Sequence, residues 1–488
     1  MTQTKQMVKH STIYAVGNIS RQLVGFLMLP IYTRYLTPAD YGVIGLLIFV
    51  VSLFEIILGG HMFQAVPKFY HEESNQKDKN SVITTAFLVT SLFSGVACLI
   101  MAGFSTPISG LVFGDLQYDI YIIIFSGLIL THALEQYSLT YLRIIKRPWT
   151  FFNFSMAKLV LQLSLNVITI VIMDWGLMGL ALSSLTSSLI VAIALTIYTL
   201  SHTGFSIKSD ISVKILRFSW PLWVSGLIGL YIGSSNRYFI RVFSSLDDVG
   251  LFELAAKFGA IVSLLIWNPF SQYWQTERFA IAKSENPYPA YSLAFRMITA
   301  LLLISGIFVS SFSPLVIQLM SAPAFHTAIN AVPFLILAGI FQCLVIFNNF
   351  SFMHTNRTFE LTKNNLFTAF FITIFYLFLI PEYGFIGASL ALAIGYIAQY
   401  IYALHAANKF YPLRIGQRPL LLSCLVFSTF AAIDYNIQYQ EGIIIAASIK
   451  IVLSALSSII VIFLLFHKAE ILEAKGHLQS ILKKRRSN

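Results

Sequence analysis

Apolar runs of about 20 residues, each long enough to cross a bilayer as a helix, recur along the whole chain with short polar breaks between them. They fall at roughly 12–33, 42–64, 82–104, 118–141, 150–173, 177–200, 218–240, 249–270, 291–313, 328–350, 364–380, 385–407, 419–435 and 442–466. This pattern predicts an all-α polytopic membrane protein of about fourteen transmembrane helices. The break before the second run holds a sharp helix-start signal. Thr37 supplies a hydroxyl N-cap, Pro38 takes the first helical position, and Asp40 places a carboxylate over the free backbone N–H groups.

Pieces of that stretch return 208 residues later. Ser245 and Asp248 repeat the cap and the carboxylate, and Gly42 falls on Gly250. At the same offset Asp174-Trp175-Gly176 matches Glu382-Tyr383-Gly384, with Gly179 on Gly387, and Ala86-Phe87 matches Ala294-Phe295. Any one match between apolar segments is weak, but a shared, gap-free offset is not. The chain reads as two duplicated six-helix bundles, 1–207 and 208–415, followed by an extra helical hairpin and basic tail, 416–488. Such internal symmetry is expected of a secondary transporter.

Composition narrows the class further. With 57% hydrophobic and 11% charged residues the chain does not match a soluble globule. The first run carries Arg21 midway and lacks a small-residue cleavage site, so it is expected to be a retained span rather than a signal peptide. The net charge of +11 belongs to topology: 25 lysines and arginines lie on the side of the N-terminus and three (Arg34, Arg237, Arg241) on the other. By the positive-inside rule both termini are cytoplasmic. The run Lys483 to Arg486 suits anionic lipid headgroups better than nucleic acid. Cys98, Cys343 and Cys424 sit singly in apolar runs and read as reduced packing residues. No metal spacing, P-loop, HExxH or GxSxG motif occurs, and no loop is long enough for a soluble catalytic domain, so neither a cofactor nor an enzyme activity is expected. The longest breaks are outer loops near 105–117 and 314–327 and an inner loop at 272–290. Trp149, Trp175, Trp220 and Trp274 read as interface belts.

Ionisable residues within a span are costly and mark candidate sites. Arg21 and Glu55 both lie about nine residues, some 13 Å, from the cytoplasmic end of adjacent spans and are placed to pair. That pair is either a structural tie or the lining of a transport cavity. Lys158 has no obvious local partner and reads as a cavity-facing cation, while Lys257 has Glu253 four residues before it. Arg237, after Ser234, Ser235 and Asn236, is a candidate gate or anion contact near an outer helix end. His61 is a weaker candidate for ion coupling, and Glu135 and Lys450 read as satisfied packing groups. Cations outnumber carboxylates at depth, which suits an anionic substrate.

The pattern Asn18, Arg21, Phe26, Pro30, then Arg34-Tyr35-Leu36-Thr37-Pro38 and Asp40-Tyr41-Gly42, resembles the start of Wzx-type polysaccharide flippases of the multidrug/oligosaccharidyl-lipid/polysaccharide exporter superfamily. Pro67-Lys68-Phe69-Tyr70, Asn236-Arg237-Tyr238 and Ala255-Ala256-Lys257 are similar to it too. The chain departs at Asn236, where many relatives carry an acid. The resemblance implies two six-helix bundles around a central cavity, worked by alternating access and driven by an ion or substrate gradient. Its implied cargo is an undecaprenyl-diphosphate-linked oligosaccharide for O-antigen or other lipopolysaccharide or capsule biosynthesis, moved from the inner to the outer leaflet of the cell inner membrane, with polysaccharide assembly proteins as partners. Arg21, Lys158, Lys257 and Arg237 would then face the diphosphate, with Glu55 or His61 in coupling. A lipid II flippase shares the anionic cargo, a multidrug antiporter would favour an acidic cavity, and a polymerase or ligase would carry a large outer loop.

Overall fold

A computed structural model describes residues 25–58, 62–437, 443–466 and 470, and among these every regular element is a helix. The chain enters through α1 (Leu29–Tyr35) and α2 (Pro38–Ile57), then the short α3 (Val66–Glu72), α4 (Gln76–Gly103) and α5 (Ser105–Phe113). Next come α6 (Asp119–Ile144), α7 (Pro148–Asn166, extended by one wide turn to Ile172), α8 (Gly176–Thr203), α9 (Ser209–Ser234) and α10 (Asn236–Phe243). Then α11 (Leu246–Val262) passes through a second wide turn into α12 (Asn268–Ile281). They are followed by α13 (Tyr288–Met320), α14 (Val332–Asn348), α15 (Phe350–His354), α16 (Phe359–Phe410), α17 (Gln417–Tyr435) and α18 (Ile443–Leu465).

Eleven of the described helices are long and apolar enough to cross a membrane, or twelve with α9, which bends by 42° between Trp220 and Trp223. The fourteen expected spans differ from these in three places. The first, 12–33, lies mostly outside the described residues. The seventh starts earlier than expected, because α9 begins at Ser209 and a separate short α10 holds Asn236 to Phe243. The eleventh and twelfth join as the 52-residue α16. That element is a hairpin and not a rod: Gln399 donates to Asn365 at 3.0 Å, although a straight helix would hold residues 34 apart in sequence about 50 Å from each other. The chain reverses at Gly384, whose φ of 54° is open to a residue without a side chain. The expected inner loop at 272–290 is also mostly helical, since α12 runs on to Ile281, and α5 occupies much of the expected outer loop at 105–117. Trp274, expected at a membrane interface, is buried (3% exposed), its ring stacked on Phe347 at 4.8 Å; an indole serves either role, and here the aromatic neighbours decide.

By contacts the chain divides into two compact units, one of residues 1–253 with 320–325, the other of 254–319 with 326–488. In the first, the connection from α8 to α9 is held against α4: Ser81 and Ser206 share a hydrogen bond of 2.8 Å, and the Lys208 N–H donates to Thr85 Oγ1 at 3.0 Å. Lys208 also pairs with Asp78, whose hydrogen bond holds the ammonium above the usual lysine range.

The positions matched at 208 residues share local geometry. The Thr37 hydroxyl accepts from the Asp40 N–H at 3.1 Å, and the Ser245 hydroxyl from the Asp248 N–H at 3.1 Å. Gly176 and Gly384 both take positive φ, 51° and 54°. Gly179 and Gly387 each press on a backbone carbonyl of the preceding helix, those of Thr169 and Leu379. The starts of α2 and α11 also cross each other at their matched glycines. A Cβ on Gly42 would overlap the Leu246 carbonyl oxygen, and a Cβ on Gly250 the Pro38 carbonyl oxygen. Leu246 is itself the match of Pro38, so the contact is reciprocal, as at a two-fold axis.

Candidate functional site

Within the first unit, charge crosses three helices. Glu55, two residues before the end of α2, meets His132 on α6, with Oε1 and Nδ1 2.9 Å apart. Three residues further along α6, Glu135 lies on the same face as His132. Glu135 accepts from Lys158 of α7 through both oxygens, each at 2.7 Å. The side chains of Glu135 and Lys158 are 6% and 17% exposed, whereas those of Glu55 and His132 are 23% and 40% exposed. The line therefore opens at its Glu55–His132 end and closes toward Lys158. Glu135 and Lys158 cancel in charge. Glu55 and His132 are the half-open end of this line.

A second group stands where α10 meets α11. Arg237 pairs with Glu253, both largely buried. The Glu253 carboxylate occupies space that Gly45 leaves open: its Oε1 lies 2.6 Å from where a Cβ on Gly45 would stand. Nearby, the Arg241 guanidinium fills the room beside Gly114, whose φ of 70° closes α5.

Polar positions continue into the helix interior. Asn166 donates to the Tyr32 hydroxyl at 2.8 Å and accepts from Ser183, tying α1, α7 and α8 together. Thr90 donates to Tyr137 at 2.8 Å between α4 and α6.

The candidates from the sequence fare differently. Arg21 and His61 lie outside the described residues, and with them the expected pairing of Arg21 to Glu55; the described partner of Glu55 is His132. Lys158, expected without a partner, has Glu135. Glu253, placed by the sequence four residues before Lys257, meets Arg237, because α10 folds back beside α11 and brings a guanidinium across. Lys257 is half-buried on α11. Lys450 is buried as expected, against Asp434. Sequence reasoning missed His132, although a histidine in the middle of an apolar run, three residues from Glu135, was there to be noticed.

A family model described as "Polysaccharide biosynthesis protein" matches residues 7–273. The Lsg locus protein 1 of Haemophilus influenzae is 24% identical over 270 residues, covering 54% of this chain and 63% of that protein, so the chain matches less than two thirds of its length. The fold is similar to that of the lipid II flippase MurJ in an inward closed conformation, with a TM-score of 0.72, 13% identity, and coverage of 92% of this chain and 98% of that one. It is also similar to an inward-facing multidrug resistance MATE family transporter of the MOP superfamily, with a TM-score of 0.59, 16% identity, and coverage of 81% and 98%.

Proposed function

From a chain that belongs to the polysaccharide biosynthesis protein family, in a fold shared with MOP-superfamily transporters, we propose a flippase for undecaprenyl-diphosphate-linked oligosaccharides. It moves each unit from the inner to the outer leaflet of the cytoplasmic membrane, both termini being cytoplasmic. The single observation that carries this reading is the family match over more than half of the chain, joined to helices that bury ion pairs at membrane depth. The bundles are the duplicated halves 1–207 and 208–415, alternating in access, with 416–488 outside the repeat.

Arg21, Lys158, Lys257 and Arg237 serve the diphosphate. Lys158 and Arg237 are each held by a carboxylate, so an incoming phosphate competes with Glu135 or Glu253 for a cation already positioned and dehydrated. An exchange of partners avoids stranding a bare charge in the membrane. Glu55 with His132 takes the coupling ion. An undisturbed cycle needs no covalent step and no cofactor.

The test uses a strain lacking this protein, complemented with wild type or with Arg21→Ala, scoring surface polysaccharide and the leaflet of the lipid-linked units. Units held on the cytoplasmic face, with Arg21→Ala failing at normal membrane levels, support the flippase and its cation site together. Units that reach the outer face unpolymerised overturn it in favour of a polymerase.

A further inference from the structure

In the second unit, α13, α14, α16, α17 and α18 line two adjacent, half-open cavities that the cargo path does not account for. One, of about 270 Å³, is lined by Ser310, Gln318, Asp434 and Lys450 among others. The other, of about 480 Å³, is apolar, walled by Phe334, Leu337, Ile386 and Phe427. Pro333, Ala431 and Tyr435 line both, so the two share a wall. Together they fall in the size range of small-ligand sites.

The polar chamber is built around an ion pair. Lys450 Nζ donates to Asp434 Oδ2 at 2.8 Å and to the Asp434 carbonyl at 3.2 Å, while the Ser311 hydroxyl donates to Asp434 Oδ1 at 2.9 Å. The Lys450 side chain is 1% exposed and that of Asp434 5%. As a mere clamp between α17 and α18, such a pair costs free energy that an apolar pair of the same size would not. It also forms the wall of a cavity several water molecules in volume, at a depth where polar groups need polar partners. The cation and anion cancel, which favours a ligand of no net charge bearing both signs. Access is lateral: Tyr435, on the shared wall, is 65% exposed, and Ala432 beside it is exposed on the face that α17 turns outward.

We propose that this double cavity is a binding site for one zwitterionic membrane phospholipid, its headgroup beside Gln318, Ser310 and the Asp434–Lys450 pair and one acyl chain in the apolar chamber. The site lies where α17 ends and α18 begins, the end of the bundle away from the basic loops, so the lipid belongs to that leaflet. The proposal does not depend on which cargo the protein carries.

The experiment is native mass spectrometry of the full chain released from detergent, after exchange into phosphatidylethanolamine or phosphatidylglycerol of matched chains. Wild type is expected to retain one phosphatidylethanolamine with about tenfold preference over phosphatidylglycerol. Asp434→Leu combined with Lys450→Met keeps the volume and removes the charges, and abolishes that preference. Ala431→Phe fills the shared wall with the pair intact and loses the lipid altogether; it decides the matter alone if the double variant does not fold. Equal retention of both lipids by wild type, or wild-type retention by both variants, overturns the proposal, as does displacement of the lipid by lipid-linked oligosaccharide at one-to-one stoichiometry.

Discussion

Replacing Gly250 by alanine tests the crossing of α2 and α11 directly. The added Cβ would overlap the Pro38 carbonyl oxygen and stand 2.8 Å from its carbon and 3.1 Å from the Gly42 nitrogen. All three are backbone atoms, so no rotamer change relieves the clash. Restoring an ordinary contact of about 3.5–4.0 Å to that oxygen requires the helices to part by roughly 1.5–2 Å. Val249 and Tyr41 beside the crossing are 0% and 4% exposed, and their packing loosens with it. Overpacking of this kind costs about 1–3 kcal/mol, which at the entropy of a unit of this size lowers Tm by roughly 2–6 °C. Scanning fluorimetry in detergent reads the shift. Gly42→Ala should behave alike, and because one separation of the helices relieves both clashes, the double variant should cost far less than the sum. Gly229→Ala, with nothing within 4 Å of the new methyl, is the control and should be neutral or slightly stabilising. If Gly250→Ala melts with that control, the helices do not touch here and the reciprocal contact is wrong.

Lys158→Met alone leaves the Glu135 carboxylate buried without its partner and should cost about 3–5 kcal/mol, while Lys158→Met with Glu135→Leu should recover most of it; thermal stability of the three proteins checks the order. Glu55→Gln is expected to keep the fold but remove the response of transport to an imposed pH gradient in liposomes, with His132→Gln close behind, and an unchanged response would take coupling away from this pair. Gly114→Ala combines a left-handed φ of 70° with the loss of the space that Arg241 fills, and should destabilise by about 1–3 kcal/mol, read by the same melting assay against Gly103→Ala, which meets nothing within 4 Å. Lys208 and Asp78 hold each other charged, so the tie to α4 is present at neutral pH and lost as pH rises through the raised pKa of Lys208 or falls through the lowered pKa of Asp78; at neutral pH Ser206→Cys should label faster with Asp78→Asn than without it, and equal rates there would refute the assignment.

Helix starts were legible because their causes are local. The capping box at Thr37 and Asp40 needs no tertiary partner, and the hydroxyl at Ser245 acts by the same rule. Helix continuity was less so. The sequence marks 272–290 as polar enough to leave the membrane but does not say that the chain stays helical to Ile281, since a polar helix and a polar loop share a composition. Wide turns such as Val167–Ile172 leave no compositional trace either.

The partners of the buried charges were the least legible, yet two pairs, Glu135–Lys158 and Arg237–Glu253, obey one relation that the sequence did contain. Consecutive helices run antiparallel about a tight turn, so residues equally far from that turn sit at equal depth. Glu135 and Lys158 each stand eleven residues from the turn at Lys146-Arg147, and they pair. Arg237 and Glu253 each stand eight residues from Ser245, between α10 and α11, and they pair. Depth measured from a turn thus predicts these two partners. Glu55 and His132 are the exception, because α2 and α6 are not consecutive and no turn relates them. Pairs mirrored about a turn close a hairpin on itself and neutralise its charge. A pair formed between helices far apart in sequence, half-open to its surroundings, depends on how the bundle is assembled, and so is the one whose separation a change in that assembly would alter first.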